Sequence, residues 1–137
     1  MRVMLDTNVI LDFFLAREPY QDAVKEIFRL AYQEKIEACT TANSITDIYY
    51  IVAKRLGDVT ARDVLLNLFN IITVFSVNGE DCISALSLPM ADYEDAVIST
   101  CAYREDMDFI ITNDADFLSV ESPLVNIVDP VGFLNLL

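Results

Sequence analysis

Aspartates recur in this chain at places where the pattern turns from strand to helix. Asp6 stands in Leu5-Asp6-Thr7-Asn8, directly after an apolar run. Asp47 follows in Asn43-Ser44-Ile45-Thr46-Asp47, Asp92 and Asp95 open Asp92-Tyr93-Glu94-Asp95-Ala96, and Asp114 and Asp116 stand in Ile111-Thr112-Asn113-Asp114-Ala115-Asp116-Phe117. In open parallel sheets, ligands collect outside the carboxyl ends of strands, so four such segments could meet at one edge. Carboxylates crowded there repel one another and raise one another's pKa unless a cation holds them. Oxygen donors without histidine suit a hard ion, Mg²⁺ or Mn²⁺, rather than zinc. Such an ion activates a water for in-line attack on a phosphodiester, and a second ion about 3.5–4 Å away stabilises the leaving oxygen.

Each acid also has a plainer reading. Ser44-x-x-Asp47 matches a helix-capping pattern, Asp92-x-x-Asp95 sets an N-cap beside an acid favoured by the helix dipole, and Asp114 suits the cap of a short helix. Asp6, at the end of a strand, is placed for ligand binding at least as well as for capping.

Composition narrows the chemistry. The 137 residues include 22 acidic and nine basic side chains, a formal charge of −13, and no histidine. That absence removes Ser/His/Asp and Cys/His triads, the histidine general acids of metal-free ribonucleases, and the usual histidine-bearing zinc sites. Passive coating of a polyanion is also disfavoured, because it depends on Lys and Arg neutralising phosphates. Arg17, Lys54, Arg55 and Arg104 are the few basic candidates for guiding a substrate, with solvated surface charge as the alternative. Cys39, Cys82 and Cys101 lie far apart without a C-x-x-C pair, which fits a reduced, cytoplasmic setting. The longest apolar run, Ile48 to Ala53, is far shorter than the roughly 20 residues a membrane span needs, and Asp6 comes too early for a secretory signal.

The elements that must position the acids follow from hydrophobic periodicity. With 54% hydrophobic residues and only three glycines and four prolines, the composition is globular. Strands are expected at Arg2–Leu5, Glu37–Thr40, Ile72–Phe75, Phe109–Ile111 and Val125–Val128. Helices are expected at Asn8–Leu15, Tyr20–Gln33, Ser44–Arg55, Ala61–Phe69, Gly79–Leu86, Tyr93–Tyr103 and Val131–Leu136. Pro19 is read in a first helical turn, Thr60 and Asp92 as N-caps, and Gly57 as a C-terminal stop. Strands separated by helix-length segments make right-handed crossovers, hence a mainly parallel sheet in a three-layer α/β/α sandwich.

These residues resemble the PIN domain family, and within it the VapC-type toxin ribonucleases of prokaryotic toxin–antitoxin pairs. The resemblance is carried by Met4–Asp12, Thr40–Tyr50, Asp92–Val97 and Phe109–Phe117, in that order, over nearly the whole chain. It implies one PIN-like domain over residues 1–137, a five-stranded sheet, and an acidic cluster that binds Mg²⁺ or Mn²⁺ and cleaves RNA. Carried over by position, Asp6, Asp47, Asp95 and Asp114 would be the catalytic and metal-coordinating acids, with Asp116 a rival for the fourth place. Asn8 and Thr112 would be polar supports, and Asp92 and Glu94 would extend the acidic rim. The second acid is commonly glutamate in these toxins; Asp47 is one methylene shorter, a length suited to contact through water. The resemblance also implies an antitoxin partner and a homodimer. Phe13, Phe14, Tyr49 and Tyr50 are candidates for such an interface, with core packing as the alternative.

Three other readings compete. A haloacid-dehalogenase-like enzyme would need a general acid/base where Asn8 stands. A response-regulator receiver would need an aspartate after the third strand, where Phe75-Ser76-Val77-Asn78 has none, and a late lysine, whereas no lysine follows Lys54. A catalytically silent PIN-like module that binds RNA or protein is the rival from another class.

Overall fold

Val3, Met4 and Leu5 are almost wholly shielded from water, and the other elements are arranged around them. The computed structural model describes residues 1–121 and 123–137. In chain order the elements are β1 (Arg2–Leu5), α1 (Thr7–Phe14), α2 (Gln21–Tyr32), β2 (Glu37–Thr41), α3 (Ala42–Leu56), α4 (Asp58–Leu68) and β3 (Thr73–Phe75). There follow α5 (Gly79–Ala85), α6 (Tyr93–Arg104), β4 (Phe109–Ile111), α7 (Ala115–Leu118), β5 (Asn126–Val128) and α8 (Pro130–Asn135). Among the described residues no helix is long and apolar enough to cross a membrane.

The five strands form one sheet in the order β3-β2-β1-β4-β5, and every neighbouring pair is parallel. The chain steps outward from β1 through β2 to β3, then returns to lay β4 on the other side of β1. That reversal opens a crevice at the carboxyl ends of β1 and β4, where doubly wound sheets bind ligands.

Successive strand residues face opposite sides of a sheet, and each side has its own core. Val3, Leu5, Ala38 and Ile111 join the apolar residues of α1–α4 and Phe133 of α8 in one layer. Met4, Cys39 and Ile110 join Ile98, Cys101 and Ala102 of α6 and Phe117 of α7 in the other. Phe13 and Phe14 belong to the first layer, where Phe13 stacks on Phe28 with centroids 4.2 Å apart. Helix α6 is enclosed on most sides, with Ala96 through Ala102 buried without interruption, as expected of a helix that lacks a polar face over that stretch. Its last residue, Arg104, pairs with buried Asp81 of α5 at 2.9 Å and donates to the Ser76 carbonyl at 2.8 Å.

Several expected helix starts are displaced, each for a local reason. Helix α3 begins at Ala42 because Thr41 is its cap, its Oγ1 accepting the Ser44 N–H at 3.2 Å. Ser44 is therefore inside the first turn and Asp47 lies a turn further on. Helix α4 begins at Asp58 with Gly57 as cap, so Thr60 is interior. Gly57 also ends α3; its φ of +89° is a conformation that L side chains rarely adopt, and it joins the two helices directly. Pro19 lies in the turn ahead of α2 rather than within its first turn. Asp92 caps α6 as expected, accepting the Asp95 N–H at 3.1 Å.

Candidate active site

The apolar run of β1 ends at Asp6 because the following residues start α1. Asp6 is the cap of that helix, its Oδ1 accepting the Thr7 N–H at 2.8 Å, while its own N–H donates to the Ile111 carbonyl at 3.0 Å. The second carboxylate oxygen accepts the Thr112 hydroxyl at 2.8 Å. The plain capping reading is thus satisfied, yet the carboxylate sits at the mouth of the β1–β4 crevice with only 5% of its surface exposed.

Asp114 follows the same logic beyond β4. It caps the four-residue α7 by accepting the Asp116 and Phe117 N–H groups at 2.8 and 3.2 Å, and its own N–H donates to Thr112 Oγ1 at 3.1 Å. Helix α3 brings Asp47 from the β2 side, and the start of α6 brings Asp92, Glu94 and Asp95. A cavity of about 300 Å³ results, in which Asp6, Asp47, Asp92, Glu94, Asp95 and Asp114 meet together with Asn8. Asp116 is exposed and lines a neighbouring cavity with Asp92 and Asp95, so of the two rivals Asp114 is the one that shares a cavity with Asp6 and Asp47.

Among the described residues no basic side chain lines this cavity. Arg104 stands nine residues beyond Asp95 on α6, about 14 Å along the axis, and is engaged by Asp81. Lys54 and Arg55 are exposed near the far end of α3. The electrostatic outcome is visible in the carboxyls. Burial pushes Asp95 up to about 7, reinforced by the charges of Asp6, Asp92, Asp114 and Glu94. Burial also raises Asp6; its bonds from Thr112 and Thr7 oppose this, and Asp114 and Asp92 add to it.

Among the described residues no three acidic or thiol side chains are already drawn together as a metal-holding group. The acids instead face one another around a shared space. The donor set nonetheless fits a hard divalent cation, since it consists of uncompensated carboxylates with a hydroxyl and an amide close by. Mg²⁺ retains waters and needs few protein oxygens, which suits acids that share a cavity without a closed cage.

Sequence reasoning did not foresee three features. Thr7 Oγ1 donates to Ser44 Oγ at 2.9 Å, and Ser44 Oγ lies 3.1 Å from Thr41 Oγ1, so a row of hydroxyls joins α1 to α3 beside the acids. The spacing Thr41-x-x-Ser44 was the available signal, since a cap and its third residue are neighbours. The Asn113 amide donates to buried Asp12 of α1, tying the loop before Asp114 to the helix after Asp6. Tyr50 is 70% exposed and lines the acidic cavity, whereas Tyr49 is half-buried against the core.

A PIN domain family model matches residues 2–116. "Ribonuclease VapC1" of Aquifex aeolicus (strain VF5) is 26% identical over 122 residues, spanning 86% of this chain and 85% of that protein. VapBC2 from Rickettsia felis, bound to a DNA fragment from its promoter, superposes with a TM-score of 0.73 at 14% identity, covering 94% of this chain and 98% of that one. DNA-bound VapBC from Salmonella typhimurium gives 0.70 at 20% identity, covering 95% and 98%. VapC20 from Mycobacterium tuberculosis, described as a sarcin–ricin loop cleaving toxin, gives 0.66 at 15% identity, covering 84% and 92%.

Proposed function

The chain belongs to the PIN domain family, and from that premise we propose that it is a divalent-metal-dependent endoribonuclease, the toxin of a type II toxin–antitoxin pair. The observation that carries this reading is the meeting of Asp6, Asp47, Asp95 and Asp114, from four remote segments, in one cavity at the sheet's reversal point. The ribonuclease name of the Aquifex relative and the toxin–antitoxin complexes among the structural neighbours support it.

Asp6, Asp95 and Asp114 would hold Mg²⁺ or Mn²⁺, with Asp47 contributing through water. When bound, the ion activates a water for attack on the phosphodiester and neutralises charge developing on the phosphate. The chain's own part is to prepare the ligands. Thr112 and the Thr7 N–H fix both oxygens of Asp6, and the cap of α7 fixes Asp114. Asp95 carries a proton at its carboxyl until the pH nears 7 or a cation displaces it.

Binding to an antitoxin would cover unpartnered apolar surface, of which the α3–α4 pair offers Leu56, Val59, Leu66 and Phe69. We include a homodimer and a cytoplasmic setting in the proposal; three free thiols accord with the latter. The decisive experiment is RNA cleavage in Mg²⁺ or Mn²⁺ by the parent, Asp6→Asn and Asp95→Asn. Both variants should retain a cooperative thermal melt and lose metal-dependent cutting. Undiminished cutting by both refutes the acid cluster, and a parent that binds RNA without cutting it returns the chain to the silent-module reading.

A further inference from the structure

Beside the acidic cavity lies a second one of about 240 Å³. The two share Thr7, Asp47, Glu94 and Ile98, so they are compartments of one cleft. The second compartment is lined along α6 by Tyr93 and by buried Val97 and Ile98. Tyr93 is anchored, its hydroxyl donating to the Cys82 carbonyl at 2.7 Å. The hydroxyl row of Thr7, Ser44 and Thr41 closes the α1–α3 side, and Asn43 and Glu94 supply an amide and a carboxylate.

This lining selects against phosphate, because two carboxylates and no cation face the space. It favours a flat, uncharged group that has apolar faces and a hydrogen-bonding edge. The volume falls below the roughly 300–1,000 Å³ of pockets that take whole small molecules, so a single ring system is the appropriate occupant. An RNA strand whose scissile phosphate lies in the acidic compartment would bring an adjoining base into this one.

We propose that the second compartment is a nucleobase subsite in which Glu94 and Asn43 select guanine next to the cleaved bond. The proposal rests on the nuclease reading for the neighbouring phosphate. Guanine presents two adjacent N–H donors, which one carboxylate can accept together, beside an O6 that accepts from an amide. Adenine and cytosine would set a ring nitrogen acceptor against the carboxylate, and uracil offers a single N–H between two carbonyls. Glu94 and Asn43 are exposed in the free chain, so a base that seats over them without pairing strips their water and returns no hydrogen bond.

The test uses the full chain and two readouts. In the first, methyl and side-chain amide NMR follows addition of guanosine, adenosine, cytidine or uridine in EDTA, where no cleavage occurs. Guanosine should shift the Val97, Ile98 and Asn43 signals more than the other three, and Glu94→Gln and Asn43→Ala should abolish the preference. In the second, oligoribonucleotides differing only in the base beside the cut are compared in Mn²⁺. The parent should favour guanine by about tenfold in kcat/KM, and each variant should bring that ratio close to one. Equal responses to all four nucleosides, or a cleavage ratio that the variants leave unchanged, overturns the subsite. A guanosine-specific shift in a parent that cuts no RNA upholds the subsite and overturns the nuclease reading. If the variants loosen an antitoxin complex while both base preferences persist, the compartment serves a protein partner and the proposal falls.

Discussion

The Thr112 hydroxyl donates to Asp6 Oδ2 at 2.8 Å, and Thr112 Oγ1 in turn accepts the Asp114 N–H at 3.1 Å. One fully buried side chain thereby couples the acid after β1 to the acid after β4. Thr112→Val keeps the shape and removes both bonds. Asp6, already raised by burial, then loses the bond that most opposes that rise. We expect a destabilisation of about 1–3 kcal/mol from the unsatisfied groups, a fall in kcat of ten- to hundredfold, and an acid limb of the pH–rate profile displaced to higher pH. Thr112→Ser should restore the profile. A profile that stays in place in Thr112→Val would sink the coupling.

Asp12 and Asn113 make the second bridge between the β1 and β4 sides. Burial raises Asp12, and the Asn113 amide offsets part of that rise. Asn113→Ala leaves a buried carboxyl without this donor, so the variant should lose about 1–3 kcal/mol in urea unfolding. Replacing Asp12 with Asn in that background should recover part of the loss, because a neutral amide costs less to bury than a charge.

The pH dependence of the metal-free protein follows from Asp95. Its folded value of about 7 lies above the unfolded carboxylate value of about 3.9. Between those limits the folded chain binds more protons than the unfolded chain, so the Asp95 contribution lowers stability as pH rises through the window. Melts in EDTA from pH 4 to 8 should show Asp95→Asn gaining on the parent with rising pH, the gain levelling off above pH 7. Mg²⁺ or Mn²⁺ should reverse the order by stabilising only the parent. Parallel melting curves at every pH would refute the assignment.

Tyr50 presents its ring at the rim of the acidic cavity. Base–aromatic stacking is worth about 1–3 kcal/mol per base. Tyr50→Ala should therefore raise KM for RNA roughly tenfold or more with little change in Tm, and Tyr50→Phe should leave KM near the parent's. Steady-state kinetics on one oligonucleotide decides it.

Much of this architecture was legible in the residues. The bounds of β1 and β4 match expectation because Val3–Leu5, which follows Arg2, and Phe109–Ile111 are short apolar runs ended abruptly by Asp6 and Thr112. Helix α7 was visible only as a capping aspartate, since four residues are too few to display a period. The start of α3 was misplaced because the sequence contains two hydroxyl residues able to cap it, and only tertiary packing shows that Thr41 does so while Ser44 turns toward Thr7. Asp114 could not be separated from Asp116 by spacing; the short helix sets them facing different cavities. The Asp12–Asn113 bond joins residues 101 positions apart, and it depends on β4 lying beside β1, which no local pattern specifies.

That placement of β4 has a consequence during translation. Thr112 lies 106 residues after Asp6, and the open flank of β1 is filled only once β4 has been synthesised and has cleared the exit tunnel. A nascent chain halted before that point has Asp6 without Thr112 or Asp114, and so lacks the assembled acidic cavity.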